Sequence, residues 1–482
     1  MVDAPPTHVV IVGGGIAGLA AARRVITNDP AARVTLLEAD TRLGGKIRTE
    51  SVTTDRGKTF LIECGPDSFL TAKPRGMGLC ADLGMLDALQ GITPQPHRAY
   101  VAWGGSLHEL PEGLTGLVPT RLSPVLQSSL LSPIGKARLA LDGILPAKPG
   151  TEDETVGSFV RRRLGDQAWE RLVEPLMAGI YAANGDLLSL QATFPQLREA
   201  EIRHGGLAKG VLANRATATP ATRPAFMTPA TGLESLVTTL RDHLVAAGAT
   251  IRLGTPAITV LPPDDLIGPT VLLPDNEPLV ADAVIIATPA FVAADILGDS
   301  SPMIAADLAG IEHASSAIVT LAYPKPRAGR ARDAHGYLIP RALGSPILAC
   351  TWSSLKWQGR APEDHLLMRV FLGRYGNDDV LRNDDPALVD LAVAEVQQRI
   401  GVVGQPVLSR VDRWERGMPQ YLLGHPERIA RIDAAVAERP WLALAGMAYR
   451  GVGIPDAILS GESAADRVRP ARTAPSRIGA SA

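Results

Sequence analysis

Four glycines and one acid carry the first chemical signal in this chain: Gly13, Gly14, Gly15 and Gly18, then Glu38, about 20 residues beyond the last of them. A glycine at 13 can take a tight turn, one at 15 lets the backbone approach a pyrophosphate, and one at 18 lets a helix lie against a strand. The acid stands where a ribose hydroxyl pair needs an acceptor. Together they describe a dinucleotide site with its phosphates at a helix N-terminus. The positioning elements read directly from the chain. Val9-Val10-Ile11-Val12 is a run of β-formers, Ile16 and Ala17 open an alanine-rich helical pattern, and Arg33 to Glu38 is a second buried strand. A glycine turn without a nucleotide is the weaker reading, because strand, turn, helix, strand and acid agree in order and spacing.

The 482 residues predict two to four domains, and 46% hydrophobic residues suffice for a large core. Lys and Arg (48) nearly balance Asp and Glu (50), so no global field draws the chain to nucleic acid or an anionic membrane. Three cysteines (Cys64, Cys80, Cys350) lack metal-ligand spacing, and their odd number argues against a disulfide framework; a reducing, cytoplasmic setting fits. Nine scattered histidines give no metal motif, so no metal is expected. No apolar run reaches the ~18 residues of a membrane span, and the N-terminus has no apolar leader pattern, so the expected protein is neither secreted nor integral to a membrane.

Further along, Phe60 to Glu63 reads as a strand stopping at a Gly65-Pro66 turn, where Asp67 and Ser68 also suit a plain turn. Arg98 to Pro111 alternates around Gly104-Gly105 as a hairpin. Thr155 to Gly165 reads as a capped helix ended by glycine, and its Arg161-Arg162-Arg163 run as a solvated face rather than a contact for lipid headgroups. Leu233 to Val245 has helical spacing, Ala249 to Gly254 and Ala281 to Thr288 read as strands, and 316–423 alternates β-like runs with one helix from Ala387 to Ile400. Leu442 to Ile458 repeats the opening pattern of strand, glycine turn and helix.

Several of these runs resemble the FAD-containing amine oxidase superfamily and, within it, the bacterial porphyrinogen oxidases of Gram-positive type. They are the cation-flanked Gly44-Gly45 turn, Gly65-Pro66-Asp67-Ser68, Gly104-Gly105-Ser106-Leu107-His108, Pro419-Gln420-Tyr421 and Tyr449-Arg450-Gly451-Val452-Gly453-Ile454-Pro455. The resemblance covers nearly the whole chain. It implies an α/β plus α+β fold: a discontinuous Rossmann-like FAD domain (1–90, 216–298, 436–468), a helical substrate-entry and membrane-facing insertion (91–215), an α+β substrate domain (299–435) and a disordered tail (469–482). It implies non-covalent FAD, held by the glycine loop (Gly13, Gly14, Gly15, Ile16, Ala17, Gly18), Glu38, Ala39, Arg42, Lys46, Gly65, Pro66, Asp67, Ser68, Ala257, Trp414, Val452, Gly453 and Ile454. Lys46 equally suits a solvated turn, and Ala257 stands where relatives usually have Val. A helix starting near Pro455 would aim its N-terminal dipole at the flavin's N1 and C2 carbonyl.

The implied reaction is the FAD-dependent, dioxygen-using oxidation of a porphyrinogen in haem biosynthesis, with release of hydrogen peroxide and no assigned catalytic side chain. Coproporphyrinogen III is favoured over protoporphyrinogen IX, with Lys73, Arg98 and, as a weaker third, Arg450 on its carboxylates. The implied partners are the porphyrinogen, dioxygen and a transiently bound chelatase of the haem pathway, without nucleic acid and with at most peripheral contact at the inner membrane face. Two rival readings are an amine oxidase, which the 4% aromatic content disfavours, and a non-catalytic protein that retains FAD.

Overall fold

The computed structural model describes residues 6–93, 98–111, 114–115, 118–119, 122–215, 223–329 and 334–469. The tail expected from 469 onward therefore lies outside the described residues, apart from Arg469.

The opening strand His8–Val12 is the middle of a five-stranded parallel sheet ordered Thr250–Arg252, Arg33–Leu37, His8–Val12, Ala283–Ile286, Leu442–Leu444. Its strands are apolar at successive positions because both faces are covered. Val9, Ile11, Val34, Leu36 and Ile285 enter one core with the helices Ile16–Asn28, Glu234–Ala246 and Ile454–Arg467. Val10, Val12, Leu37, Val284 and Ile286 enter another on the opposite face, with the helices Ala290–Leu297 and His425–Ala437. Alternate side chains of one strand thus build two different cores.

A seven-stranded sheet forms the second layer system, in the order Leu408–Pro419, His313–Pro324, His365–Leu372, Ile347–Thr351, Gly336–Leu338, Ala99–Trp103, Ser106–Glu109. The hairpin Ala99–Glu109 turns at Gly104 (φ +55°) and Gly105 (φ +78°), the positive-φ pair a two-residue loop requires. The sequence reading grouped this hairpin with the helical insertion. The backbone instead pairs Tyr100 with Tyr337, in parallel, at the edge of the substrate sheet. Sheet edges recruit partners through backbone groups, which leave little trace in side-chain pattern. Helix Asp385–Ile400 begins where the Asp384 carboxylate accepts the Ala387 N–H at 3.0 Å, and covers one face of this sheet.

The helical region runs from Leu122 to Arg215. Thr155 caps Val156–Leu164 through the Ser158 N–H at 3.0 Å, and Gly165 at φ +89° ends it. After it, Asp166–Ala168 runs through a π turn, Trp169–Val173, into Glu174–Tyr181. The solvated-face expectation for 161–163 is corrected by the structure. Arg163 is fully buried on Asp142 at 2.6 Å, Arg162 bonds Glu154 at 2.7 Å and Glu201 at 2.6 Å, and Arg161 pairs with Asp186. Buried acids distant in sequence turned a charge run into a packing element. Among the described residues no helix is long and apolar enough to cross a membrane, and no group of three His, Cys, Asp or Glu could hold a metal ion.

Candidate functional site: a dinucleotide cleft

The glycine loop leaves the opening strand at Gly13, whose φ is +110° and whose N–H donates to Leu37 O at 2.7 Å. A Cβ at Gly13 would sit 2.8 Å from Ala287 O, and one at Gly18 would collide with Gly13 O. At Gly15 a Cβ would meet nothing within 4 Å. Two glycines are therefore fixed by protein packing, whereas the third faces open space at a helix N-terminus. That helix, Ile16–Asn28, has no side-chain cap and no acid in its first turn, so its first amides and positive dipole end are left for an anion. Ile16 and Ala17 bury their side chains in the core and present only backbone.

Glu38 leaves the neighbouring strand beside this loop. Its carboxylate accepts Gly14 N–H at 2.7 Å and Asp40 N–H at 2.8 Å, and its remaining lone pairs can accept hydroxyls. Ala39 is exposed next to it, and Thr255 N–H donates to Glu38 O at 2.8 Å, which brings the Ala257 loop to the same edge. Gly44 N–H reaches Gly14 O at 2.9 Å, so the second glycine turn lies on the first. Arg42 braces that turn through the carbonyls of Leu43 at 3.1 Å, Ile47 at 3.2 Å and Gly45. Lys46 follows, and burial pushes its ammonium's pKa down; it has no hydrogen bond or ion pair among the described residues. An uncapped helix N-terminus, an open glycine, a hydroxyl acceptor and a partly buried cation fit an anionic dinucleotide.

At the other end of the cleft, Gly65 is pressed against Lys46 O and the Trp414 ring, and Trp414 Nε1 donates to Cys64 O at 2.7 Å. Cys64 itself turns into an apolar cluster with Phe60 and Ile62, and burial pushes its thiol up to about 12, so it is no candidate for a covalent flavin bond. Past Pro66, Asp67 is held by Lys356 at 3.1 Å, Trp357 Nε1 at 3.1 Å and Ser68 Oγ at 2.8 Å, with Arg369 at 3.7 Å. Burial opposes its charge, but Lys356 and Arg369 hold the carboxyl well below the usual carboxylate range. The Asp67 side chain thus anchors the turn to Arg369 of the seven-stranded sheet, Ser68 Oγ braces Asp67, and Arg369 also donates to Gly65 O.

Val452, Gly453 and Ile454 lead into Ile454–Arg467, whose Asp456 accepts Gly453 N–H at 3.1 Å, the one half of a capping box that a glycine N-cap allows. Lys73, distant in sequence, donates to both Asp456 oxygens at 2.6 and 2.7 Å. The structure therefore joins Lys73 to the closing glycine turn. Arg98 lies 3.7 Å from Glu109 on the hairpin rim, and Arg450 pairs with Asp433 on the exposed side of helix His425–Ala437. These two are not brought to Asp456.

Sequence reasoning missed Arg369, Lys356 and Asp456. A lone arginine inside Leu366-Leu367-Met368-Arg369-Val370-Phe371-Leu372 is a readable signal, since an apolar strand seldom buries an unpaired charge. An acid three residues past Gly453 is another. Lys356 carries no comparable signal.

A parallel sheet with a glycine-rich turn after its first strand and another after its last strand in sequence is the arrangement of a dinucleotide-binding α/β fold. The family model for flavin containing amine oxidoreductase matches residues 16–469. The coproporphyrinogen III oxidase of Bacillus subtilis (strain 168) is 35% identical, over 95% of this chain and 97% of its own. That of Propionibacterium freudenreichii is 37% identical, over 97% and 91%. A crystal structure from Exiguobacterium sp. 255-15, described as a candidate protoporphyrinogen oxidase, superposes with a TM-score of 0.82 at 33% identity, over 95% and 98%. The chain belongs to the flavin containing amine oxidoreductase family, in its porphyrinogen oxidase branch. Its cofactor is FAD.

Proposed function

We propose that this enzyme oxidises coproporphyrinogen III to coproporphyrin III in haem biosynthesis, with dioxygen as acceptor. The observation that supports the choice of substrate is Lys73, a cation of the porphyrinogen-oxidase-like Gly-Pro-Asp-Ser-Phe-Leu-Thr-Ala-Lys run, which bonds Asp456 beside the closing glycine turn. Near-full-length similarity to two proteins named for this substrate supports the same reading. Bound FAD supplies hydride acceptance and passes electrons to dioxygen, so that six electrons and six protons leave the porphyrinogen as three hydrogen peroxide.

The chain's own residues position and exclude. The amides at the start of Ile16–Asn28, Glu38 and Lys46 would hold the dinucleotide, and the N-terminal end of Ile454–Arg467 would stabilise negative charge on its reduced ring. Lys73 and Arg98 bind propionates at the rim, with Arg450 as a weaker third. The product leaves for a transiently bound chelatase. The reaction is placed in the cytoplasm, with at most peripheral contact at the inner membrane face; three buried, unpaired cysteines support a reducing compartment.

The test is kcat/KM for coproporphyrinogen III and protoporphyrinogen IX in wild type, Lys73→Ala and Arg98→Ala. Wild type is expected to prefer the tetracarboxylate, and each substitution to lower that preference. A wild-type preference for protoporphyrinogen IX, or no loss of preference in either variant, rejects the substrate assignment.

A further inference from the structure

The Trp414–Tyr421 segment touches three parts of the molecule. Trp414 donates to Cys64 O before the Gly65-Pro66 turn, Gln420 Nε2 donates to Tyr181 O of the helical region at 3.0 Å, and Tyr421 reaches the closing glycine turn. Tyr421 is fully buried. Its hydroxyl donates to Met447 O at 2.6 Å and accepts Gly451 N–H at 2.7 Å, so one oxygen ties two points of the same loop. Its ring stacks on His425 with centroids 4.1 Å apart and planes at 12°, and His425 Nε2 bonds Tyr449 O at 3.1 Å. Residues 447, 449 and 451 are thus held in turn by one stacked pair. Gly451, at φ +136° with Asp456 against the position of a Cβ, leaves the loop no other easy path.

We propose that Tyr421 is a positioning residue for the flavin: its hydroxyl sets the 447–451 loop and thereby aims the amides of Val452 and Ile454 at the cofactor, while Gly453 N–H stays with Asp456. The inference rests on the placement of the flavin's pyrimidine edge at those residues, and not on which porphyrinogen is oxidised. A hydroxyl buried with one donor bond and one acceptor bond, both to backbone, is more than packing of an aromatic ring requires. The ring alone fills the space between Tyr181 and His425, and phenylalanine would do so too.

The experiment uses full-length protein stripped of FAD and titrated with FAD, together with the flavin midpoint potential of the reloaded enzyme. Tyr421→Phe should weaken FAD binding about tenfold, the scale of one net hydrogen bond to a fixed loop. It should also lower the midpoint potential, because misaimed amides stabilise the reduced flavin less, while the stripped protein melts within a few degrees of wild type. Glu38→Ala serves as a reference that the titration reports cofactor contacts. Tyr421→Phe with unchanged affinity and potential, while Glu38→Ala binds weakly, overturns the role of Tyr421 and leaves the FAD site standing. A lowered melting temperature with unchanged potential also overturns it, since that is what a purely structural tyrosine would give. If Tyr421→Phe does not fold, 3-fluorotyrosine placed at 421 carries the test. A weaker acceptor for Gly451 N–H should shift affinity and potential in the same direction by less, and no shift rejects the proposal.

Discussion

The parallel sheet and the helical region are both well buried, but they are built from opposite materials. The sheet's two cores are aliphatic, from Val9, Ile11, Leu36 and Ile285 on one side to Val10, Val284 and Ile286 on the other. The helical region buries an apolar cluster as well, yet its centre also holds Arg163, Asp142, Glu201 and Glu174 at 5% exposure or less. Arg163 alone donates to Asp142 and to the carbonyls of Leu145, Pro146 and Gly205. One region is held by area removed from water, the other by a network that ties loops to helices. The lesson is that burial driven by solvent exclusion writes itself into hydrophobic pattern, whereas burial driven by ion pairing depends on partners the pattern does not mark.

The largest expected effect separates these two materials. Arg163→Ala should cost about 3 to 5 kcal/mol in urea unfolding, because Asp142 is left charged and buried. Replacing both partners by apolar residues of similar volume, Arg163→Met with Asp142→Leu, should recover most of that loss. In the sheet no double replacement can rescue Leu36→Ala, expected to lose about 2 to 5 kcal/mol, since the deficit there is a cavity. Equal costs for the single and the double charge variants would erase the contrast.

Next in size is Glu38→Ala, which should weaken FAD binding by about 1.5 to 3 kcal/mol, roughly 10- to 150-fold, with a smaller change in the melting of the stripped protein. Fluorescence titration of the stripped protein measures it, and unchanged affinity would remove Glu38 from the site.

The third prediction concerns acid. His313 and His425 both have pKa values pushed down to about 4. Burial is the main cause in each; Lys46 and Arg416 add to it at His313, and Arg428 and Arg450 at His425. An unfolded histidine titrates near 6.5, so between about pH 6.5 and 4 the unfolded chain binds more protons than the folded one. Stability must therefore fall as pH drops through that window, by up to about 1.4 kcal/mol per pH unit for each histidine. Unfolding free energies from pH 7 to 4.5 should show this slope, and His425→Gln should remove one histidine's share.

The smallest effect belongs to Lys73→Ala. The pair with Asp456 is half exposed on the lysine side, so its loss should change stability by less than about 1 kcal/mol. A melting curve indistinguishable from wild type, beside altered porphyrinogen selectivity, is the expected result.

The contrast between regions also explains what could be read without coordinates. The opening strand, glycine loop, acid strand and closing helix were legible because glycine spacing and apolar runs report local constraints directly. The helix cap at Thr155 and the Gly104-Gly105 turn were legible for the same reason. The pairing of the hairpin with Gly336–Leu338, the burial of Arg163 and the hold of Lys356 and Arg369 on Asp67 were not, because each joins residues distant in sequence through charge or backbone. Asp67 is legible in the sequence as a turn residue; that its side chain enters a knot of Lys356 and Arg369 needed the fold.

The order of the central sheet has a consequence for how the enzyme comes into being. Its middle strand is His8–Val12, but an edge strand is Leu442–Leu444, and the loop that follows supplies the second half of the cleft. At ribosomal speeds of about 5 to 20 residues per second, tens of seconds separate the synthesis of the two halves. Throughout that interval the first glycine loop is present without its counterpart, and from their own synthesis onward Val284 and Ile286 wait for the strand that covers their edge. A chain cut before residue 440 would therefore lack both the strand Leu442–Leu444 and the glycine turn that follows it.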